Sequence, residues 1–363
     1  MKKLTSFLMV VALLAGMFAF SAAAFAEDDF YAVSLGWAEN ASGQRQKTGF
    51  TESFEKFGIT NFSIVDANYD PVRQTEQIRA FIAKGPKALF ITPSDPTGIA
   101  EAVKEACDAG IPVYLSDGFV SGVDAVSTVL FDNYACGKTT MTFLCDQLQA
   151  MYGATDTIKI GMIMLPSNES WHQRDLGAED VLALEKYGNI EVAYTWSWDS
   201  TGAVTPSSTI STWLAADTAK ELRGIWCAWD GAAFEGLVLT GEARPEIMYT
   251  GCDGGEECWN YMINYPQSFV MSAGENIYTM PRLLVQYAMN YNEGKTVPRL
   301  VLVEGYAVTS TMIGEVNTIR DYKVGDKTAW ELLLSYDLPG YVELLNQALT
   351  ENSLTDNLWV PSI

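Results

Sequence analysis

The chain has 363 residues, with 45 acidic side chains against 23 basic ones and a formal charge of −22. That negative excess repels phosphate backbones and anionic lipid, so nucleic acid and membrane surfaces are poor partner candidates. Hydrophobic residues make up 48% of the chain, enough for packed cores, and the length suits two domains of roughly 100–200 residues each.

Residues 1–26 read as an export leader: Lys2 and Lys3 open it, Phe7 to Phe20 is apolar, and Ala24-Phe25-Ala26 is a small-residue cleavage pattern. The apolar run is near the short end of the roughly 17–25 residues that a span needs. No Cys stands at the cleavage point to accept a lipid, so the expected product is soluble and lies in the bacterial periplasm. Cleavage removes Lys2 and Lys3 and takes the formal charge to −24.

After the leader, apolar periodicity predicts a strand at Tyr31–Leu35, a helix at Gln46–Phe57, a strand at Phe62–Asp66 and a helix at Val72–Ala83. Ala88–Ile91 is a strand broken by Pro93, Ser94, Asp95 and Pro96. Thr97 is the expected cap of a helix that sets Ile99, Val103 and Cys107 on one face and ends at Gly110. Pro112–Leu115 then returns as a parallel neighbour through a right-handed crossover. Ligands of such units bind at the carboxyl ends of the strands, which here carry Ser94, Asp95, Ser116 and Asp117.

Beyond Phe131 the alternation restarts: helices at Tyr134–Met151, Trp171–Lys186, Ser207–Ala216, Ala232–Thr240, Glu256–Ile263 and Ile277–Asn292. The strands between them are Ile158–Met164, Ile190–Thr195, Gly224–Ala228, Ile247–Cys252, Phe269–Ala273 and Leu300–Val303, followed by a less regular tail. No Gly/Ser linker separates the halves, which suggests two lobes joined by short chain crossings. We place these near Phe131–Asn133, Gly274–Asn276 and Tyr306–Ser310, so that 27–131 with 276–308 forms one lobe and 132–275 with 309–363 the other.

The six cysteines match no zinc framework, and His172 is the one histidine, so neither a metal site nor a cofactor is expected. Cys252 and Cys258, in CDGGEEC, are the nearest pair in sequence and the candidate disulfide; the other four read as buried thiols. The chain lacks a G-x-S-x-G elbow, a Walker loop and a G-x-G-x-x-G after its first strand. An enzyme would have to rest on paired carboxylates such as Asp117 and Asp253, a weaker reading than ligand binding.

Six segments in register, PSDPTGIAEAVKEACDAGIPVYLSD, VLFDNYACGK, RDLGAEDVL, GIWCAWDGAAFEG, YTGCDGG and AGENIYTMPRLLVQYAMNYNEGKTVP, carry a family likeness. Over residues 30 to about 310 the chain resembles the periplasmic sugar-binding proteins of the ribose-binding type, which serve ATP-driven importers. The resemblance implies an α/β fold of two similar doubly wound parallel-sheet lobes joined by a three-strand hinge. It places ligand contacts on Asn40, Asp117, Asn133, Arg174, Trp198, Trp229, Asp253 and Glu275. Trp37, Trp171 and Trp196 also fall at strand ends or helix starts on the ligand side, while Trp213, Trp226, Trp259, Trp330 and Trp359 are assigned to packing. Carboxylates accept from sugar hydroxyls, Asn and Arg donate to them, and flat aromatic walls cover the apolar ring faces.

Three departures bear on the ligand. Gly118 stands where pentose binders of this type have Arg, Ser42 and Gly43 replace a Phe pair, and Trp229 replaces an Asn. What the resemblance implies is therefore a neutral, hydroxyl-rich ligand, a sugar or polyol, with a nucleoside-like molecule as the alternative. The implied partners are an ABC permease or, alternatively, a chemotaxis or sensor-kinase receptor, and the implied state is a monomer.

Overall fold

The computed structural model describes residues 29–167, 169–198, 202–275, 277–303, 305–313, 323–324 and 327–328. The leader, Trp330 and Trp359 lie outside the described residues. In chain order the first elements are β1 (Tyr31–Leu35), α1 (Ala41–Lys56), β2 (Phe62–Asp66), α2 (Pro71–Lys84), β3 (Ala88–Thr92), α3 (Ala100–Asp108), β4 (Val113–Ser116) and β5 (Ser127–Phe131). Next come α4 (Asn133–Tyr152), β6 (Ile158–Met164), α5 (Glu169–Leu182), β7 (Ile190–Ser197), α6 (Pro206–Ala216), β8 (Leu222–Cys227), α7 (Asp230–Thr240), β9 (Met248–Asp253), α8 (Glu256–Asn264) and β10 (Phe269–Gly274). Then follow α9 (Thr279–Asn292), β11 (Leu300–Val303), β12 (Tyr306–Thr309) and the short α10 (Ser310–Ile313).

Two six-stranded sheets result, ordered β11-β5-β4-β3-β1-β2 and β12-β10-β9-β8-β6-β7. Each is the centre of one lobe. The first is parallel throughout, with Leu89 opposite Val113 in the β3–β4 pair. Its strand β1 is buried at every position, the mark of a strand covered by helices on both faces. Side-chain alternation along β3 divides the core: Phe90 joins Phe50, Phe54 and Leu284 on one face. Leu89 and Ile91 meet Ile78, Phe81 and Val103 on the other. The second lobe repeats this, with Ile225 and Tyr249 packing toward α7 and α8 and Ile160 and Trp226 toward α4 and α5.

Several local expectations are corrected. α1 begins at Ala41 rather than Gln46, because the Asn40 side chain accepts from the Gly43 backbone N–H and caps the helix five residues earlier. α3 starts after Ile99 with no side-chain cap, so Thr97 does not cap it; in the turn before it, Asp95 Oδ1 accepts from the Thr97 and Gly98 backbone N–H groups at 2.9 and 3.0 Å. α5 ends at Leu182, and Glu185–Tyr187 forms a separate 3-10 turn. β12 runs antiparallel to β10, so the second sheet is mixed, and since Val303 ends a strand of the first sheet and Tyr306 begins one of the second, the third crossing precedes Tyr306 instead of lying within Tyr306–Ser310.

The disulfide joins Cys136 to Cys252, not Cys252 to Cys258. Cys258 sits on α8 and is buried among Trp259, Met262 and Phe269. Cys252 lies at the end of β9 against Phe131, Cys136 and Ala273, so neighbours in sequence belong to different packing groups. Trp213, Trp226 and Trp259 are buried in the second lobe as expected.

Candidate functional site

A cavity of about 370 Å³ opens between the lobes at the carboxyl ends of both sheets. Trp37, Asn40, Asp117, Trp171, Arg174, Trp198, Trp229, Asp253 and Glu275 line it, together with Ser42, Tyr69, Leu165 and Gly202. Each lobe contributes. The first supplies Trp37 after β1, Tyr69 after β2 and Asp117 after β4. The second supplies Trp171 and Arg174 from α5, Trp198 after β7, Trp229 before α7, and Asp253 and Glu275 at the ends of β9 and β10.

Arg174 is the hub. It is 2% exposed, and its Nε donates to Asn133 Oδ1 at 2.7 Å while Nη1 donates to the Ala228 carbonyl at 2.8 Å and to Asp253 Oδ1 at 2.9 Å. Nη2 donates to Glu275. The guanidinium also lies over the Phe131 ring, 5.7 Å from its centroid. Phe131 and Asn133 flank the first crossing and Glu275 stands at the second, so one side chain ties both to the cleft. The third crossing joins them at Gly305, where a Cβ would come within 2.7 Å of Phe131 and 2.8 Å of the Gly274 carbonyl oxygen.

The start of α5 is fixed from below. Asp175, fully buried, accepts from the Leu165 backbone N–H at 3.0 Å and lies 3.1 Å from His172 Nδ1. His172 therefore serves the helix start, which aims Trp171 and Arg174 into the cleft.

Asn133 is placed differently from what the resemblance implied. Its amide is used twice inside the protein, on Arg174 and on the Phe131 carbonyl at 3.2 Å, and it holds the arginine from behind the cavity wall. Asn40 reaches the cavity, but its oxygen caps α1 and its Nδ2 donates to Tyr69 Oη at 2.7 Å. Trp196 turns away and packs on the second-lobe core beside Tyr194. Of the four polar strand-end residues in the opening lobe, Ser94 and Ser116 are not among the cavity residues and Asp95 caps a turn; Asp117 alone enters.

Tyr69 was missed by sequence reasoning. It follows β2 at φ 59°, stacks on Trp37 with centroids 5.7 Å apart and planes 7° from parallel, and supplies aromatic surface where the Phe pair is absent. The signal was available: an aromatic residue in the turn at a strand's carboxyl end. Trp37 also meets Trp171 edge-on at 5.3 Å, an aromatic contact from lobe to lobe.

Two of the acids sit on unusual backbone. Asp117 has φ 53° and Asp253 φ 120°, conformations sparsely populated by residues other than glycine. Neither caps a helix: α8 is capped at Gly255, and Asp117 Oδ1 is buried with no hydrogen-bond partner. Gly118 is fixed by packing, since a Cβ there would fall 2.7 Å from Pro93 Cδ; a larger residue and Pro93 exclude each other.

Burial pushes the Asp117 carboxyl well above its usual range, with Glu275 and Asp253 adding to the effect and Arg174 opposing it. Burial likewise raises Glu275 to about 7 and raises Asp253, against the pull of Arg174. For Tyr69, burial and the Asp253 and Asp66 carboxylates push the hydroxyl up to about 12, so it remains a donor.

A pH dependence follows. A carboxyl whose folded value is raised holds its proton more tightly folded than unfolded, so its contribution is full below pH 4 and is lost as pH rises through the raised value. From 4.5 to about 7, Glu275 alone corresponds to about 3 kcal/mol between pH 4.5 and 8. The acids held low, Glu105, Asp146, Asp217 and Glu246, lose their contribution only below that window. Ligand-free protein is expected to melt higher at pH 5 than at pH 8, and Glu275→Gln to flatten the difference. Equal pH slopes for the two proteins in thermal melts would sink this account.

Among the described residues no group of His, Cys, Asp and Glu side chains is arranged to hold a metal ion, and no helix is long and apolar enough to cross a membrane. A family model for the periplasmic binding protein domain matches residues 31–296. The ribose import binding protein RbsB of Salmonella typhimurium is 25% identical over 255 residues, 70% of this chain and 81% of that protein. The galactofuranose-binding protein YtfQ of Escherichia coli is 40% identical over 87 residues, 23% of this chain and 27% of that protein. Among solved structures, an ABC transporter solute binding protein from Agrobacterium vitis, bound with alpha-D-tagatopyranose, aligns with a TM-score of 0.68 at 19% identity, covering 82% of this chain and 99% of that one. At that identity the likeness is one of fold.

Proposed function

We propose that this chain, which belongs to the periplasmic binding proteins of the sugar-binding type, takes up a small hydroxyl-rich ligand, a sugar or polyol, between its lobes and presents the closed form to an ABC permease. The family is one of binding proteins, and the protein is not an enzyme. Relatives named for ribose and galactofuranose support the ligand class.

The observation that carries the reading is the convergence of Asp117, Arg174, Asp253 and Glu275 with the rings of Trp37, Tyr69, Trp171, Trp198 and Trp229 on one interlobe cavity. Hydroxyls buried without partners are costly, so a ligand rich in them needs this density of polar groups. The rings offer flat apolar faces to a sugar ring. Because Asp117 belongs to the first lobe and Arg174, Asp253 and Glu275 to the second, the full set of contacts exists only when the lobes are closed, which couples binding to closure.

Tryptophan fluorescence and calorimetry against a panel of sugars, polyols and nucleosides test this. Saturable binding of a sugar or polyol is expected, with a fluorescence change that Trp171→Phe reduces. No saturable binding across the panel, or binding confined to nucleosides, would overturn the ligand class.

A further inference from the structure

Resting on that reading of the cleft, we propose that the ligand is not neutral but carries a protonated amine beside its hydroxyls: an amino sugar or amino polyol. The wall of the cavity holds three carboxylates, Asp117, Asp253 and Glu275, and one guanidinium, Arg174. The adjoining hollow sets Arg45 against Asp230, Glu235 and Glu257, and Arg45 also draws on Asp253 and Glu275. With all three acids ionised the wall carries two negative charges beyond Arg174; burial opposes that state in the absence of a cation, and a bound cation favours it.

Beside the hydroxyls of Ser42 and Tyr69 and the indole groups of the wall, the nitrogen donors are largely engaged. Arg174 has five N–H groups and directs them at Asn133, the Ala228 carbonyl, Asp253 and Glu275, so little of the guanidinium is left for a ligand. Asn40 Nδ2 gives one of its two N–H groups to Tyr69 Oη. Asp117, 2% exposed, faces the cavity from the opposite lobe, and its Oδ1 has no partner. A hydroxyl brings one proton to such a site and an acceptor with it, whereas an ammonium brings three donors, no acceptor and the compensating charge. The aromatic walls act in the same direction, because ring faces attract cations.

Calorimetry of the wild-type protein at pH 7 with matched ligands tests the proposal: glucosamine, glucose and N-acetylglucosamine; galactosamine, galactose and N-acetylgalactosamine; an inosamine and the corresponding inositol. In at least one set the amine is expected to bind about tenfold or more tighter than its hydroxyl partner, the scale of a hydrogen bond to a charged group. N-acetylation is expected to abolish the gain, and Asp117→Asn or, should that variant not fold, Glu275→Gln to shrink it. If the hydroxyl member binds as well as the amine in every set that shows saturation, the inference is overturned and the sugar or polyol reading stands. If no member of any set saturates, both are overturned.

Discussion

Arg174→Met is expected to cost about 3–5 kcal/mol of stability at pH 8 and to abolish saturable ligand binding, the largest effect of any single change in the cleft. The side chain is 2% exposed and is the common partner of Asp253 and Glu275; without it those carboxylates and Asp117 remain buried with no cation in the cavity wall. Each must then ionise unpaired or take up a proton far above its ordinary range, and either route destabilises the folded state. The loss is expected to shrink at pH 5, where Glu275, raised to about 7, is already largely protonated. Lysine would not restore the site: a single ammonium cannot serve Asn133, the Ala228 carbonyl, Asp253 and Glu275 together, which the planar fork does. Thermal melts of wild type and variant at pH 5 and pH 8 check the argument. A variant as stable as wild type at pH 8 would sink it.

How much of this was legible in the sequence varies with the range of the interaction involved. The strands Tyr31–Leu35, Phe62–Asp66, Ile158–Met164 and Leu300–Val303 were read with their observed limits, because an apolar run bounded by turn residues is a local signal. Asp117 was legible for a related reason: it follows a strand, and a parallel sheet brings its carboxyl ends together, whereas Asp253 and Glu275 were placed by the family likeness alone. What failed depended on three-dimensional packing. The Cys136–Cys252 bond spans 116 residues and exists because α4 lies across the end of β9. The place of Asn133 behind Arg174 could not be separated from a ligand contact, since either use suits an amide. β12 was missed as a strand because its four residues find their ladder only against β10, and that error moved the third crossing.

Gly137 and Gly177 show how the helix bearing Arg174 is held, and they lead to the second large expectation. A methyl group at Gly137 would collide with the carbonyl oxygen of Arg174, and one at Gly177 with that of Tyr134. α4 and α5 thus cross with backbone against backbone, at the height of the cleft. Alanine favours a helix by roughly 1 kcal/mol over glycine, so in an open position the exchange would stabilise. Here the obstacle is main chain on both sides, and α4 is anchored by the Cys136–Cys252 bond while α5 is anchored by Asp175 on the Leu165 N–H. Relief requires the helices to separate, which opens the core around Met141, Leu144 and Ala178. Gly137→Ala is expected to cost about 3 kcal/mol net, at the upper end of ordinary overpacking, and to weaken ligand binding, because the displaced segment carries Arg174 and Trp171. Gly177→Ala should act in the same direction. Thermal melts and ligand calorimetry decide it: a melting temperature equal to or above that of wild type would mean that the crossing yields without cost, and unchanged affinity in a destabilised variant would mean that α5 keeps Arg174 in place by contacts other than this one.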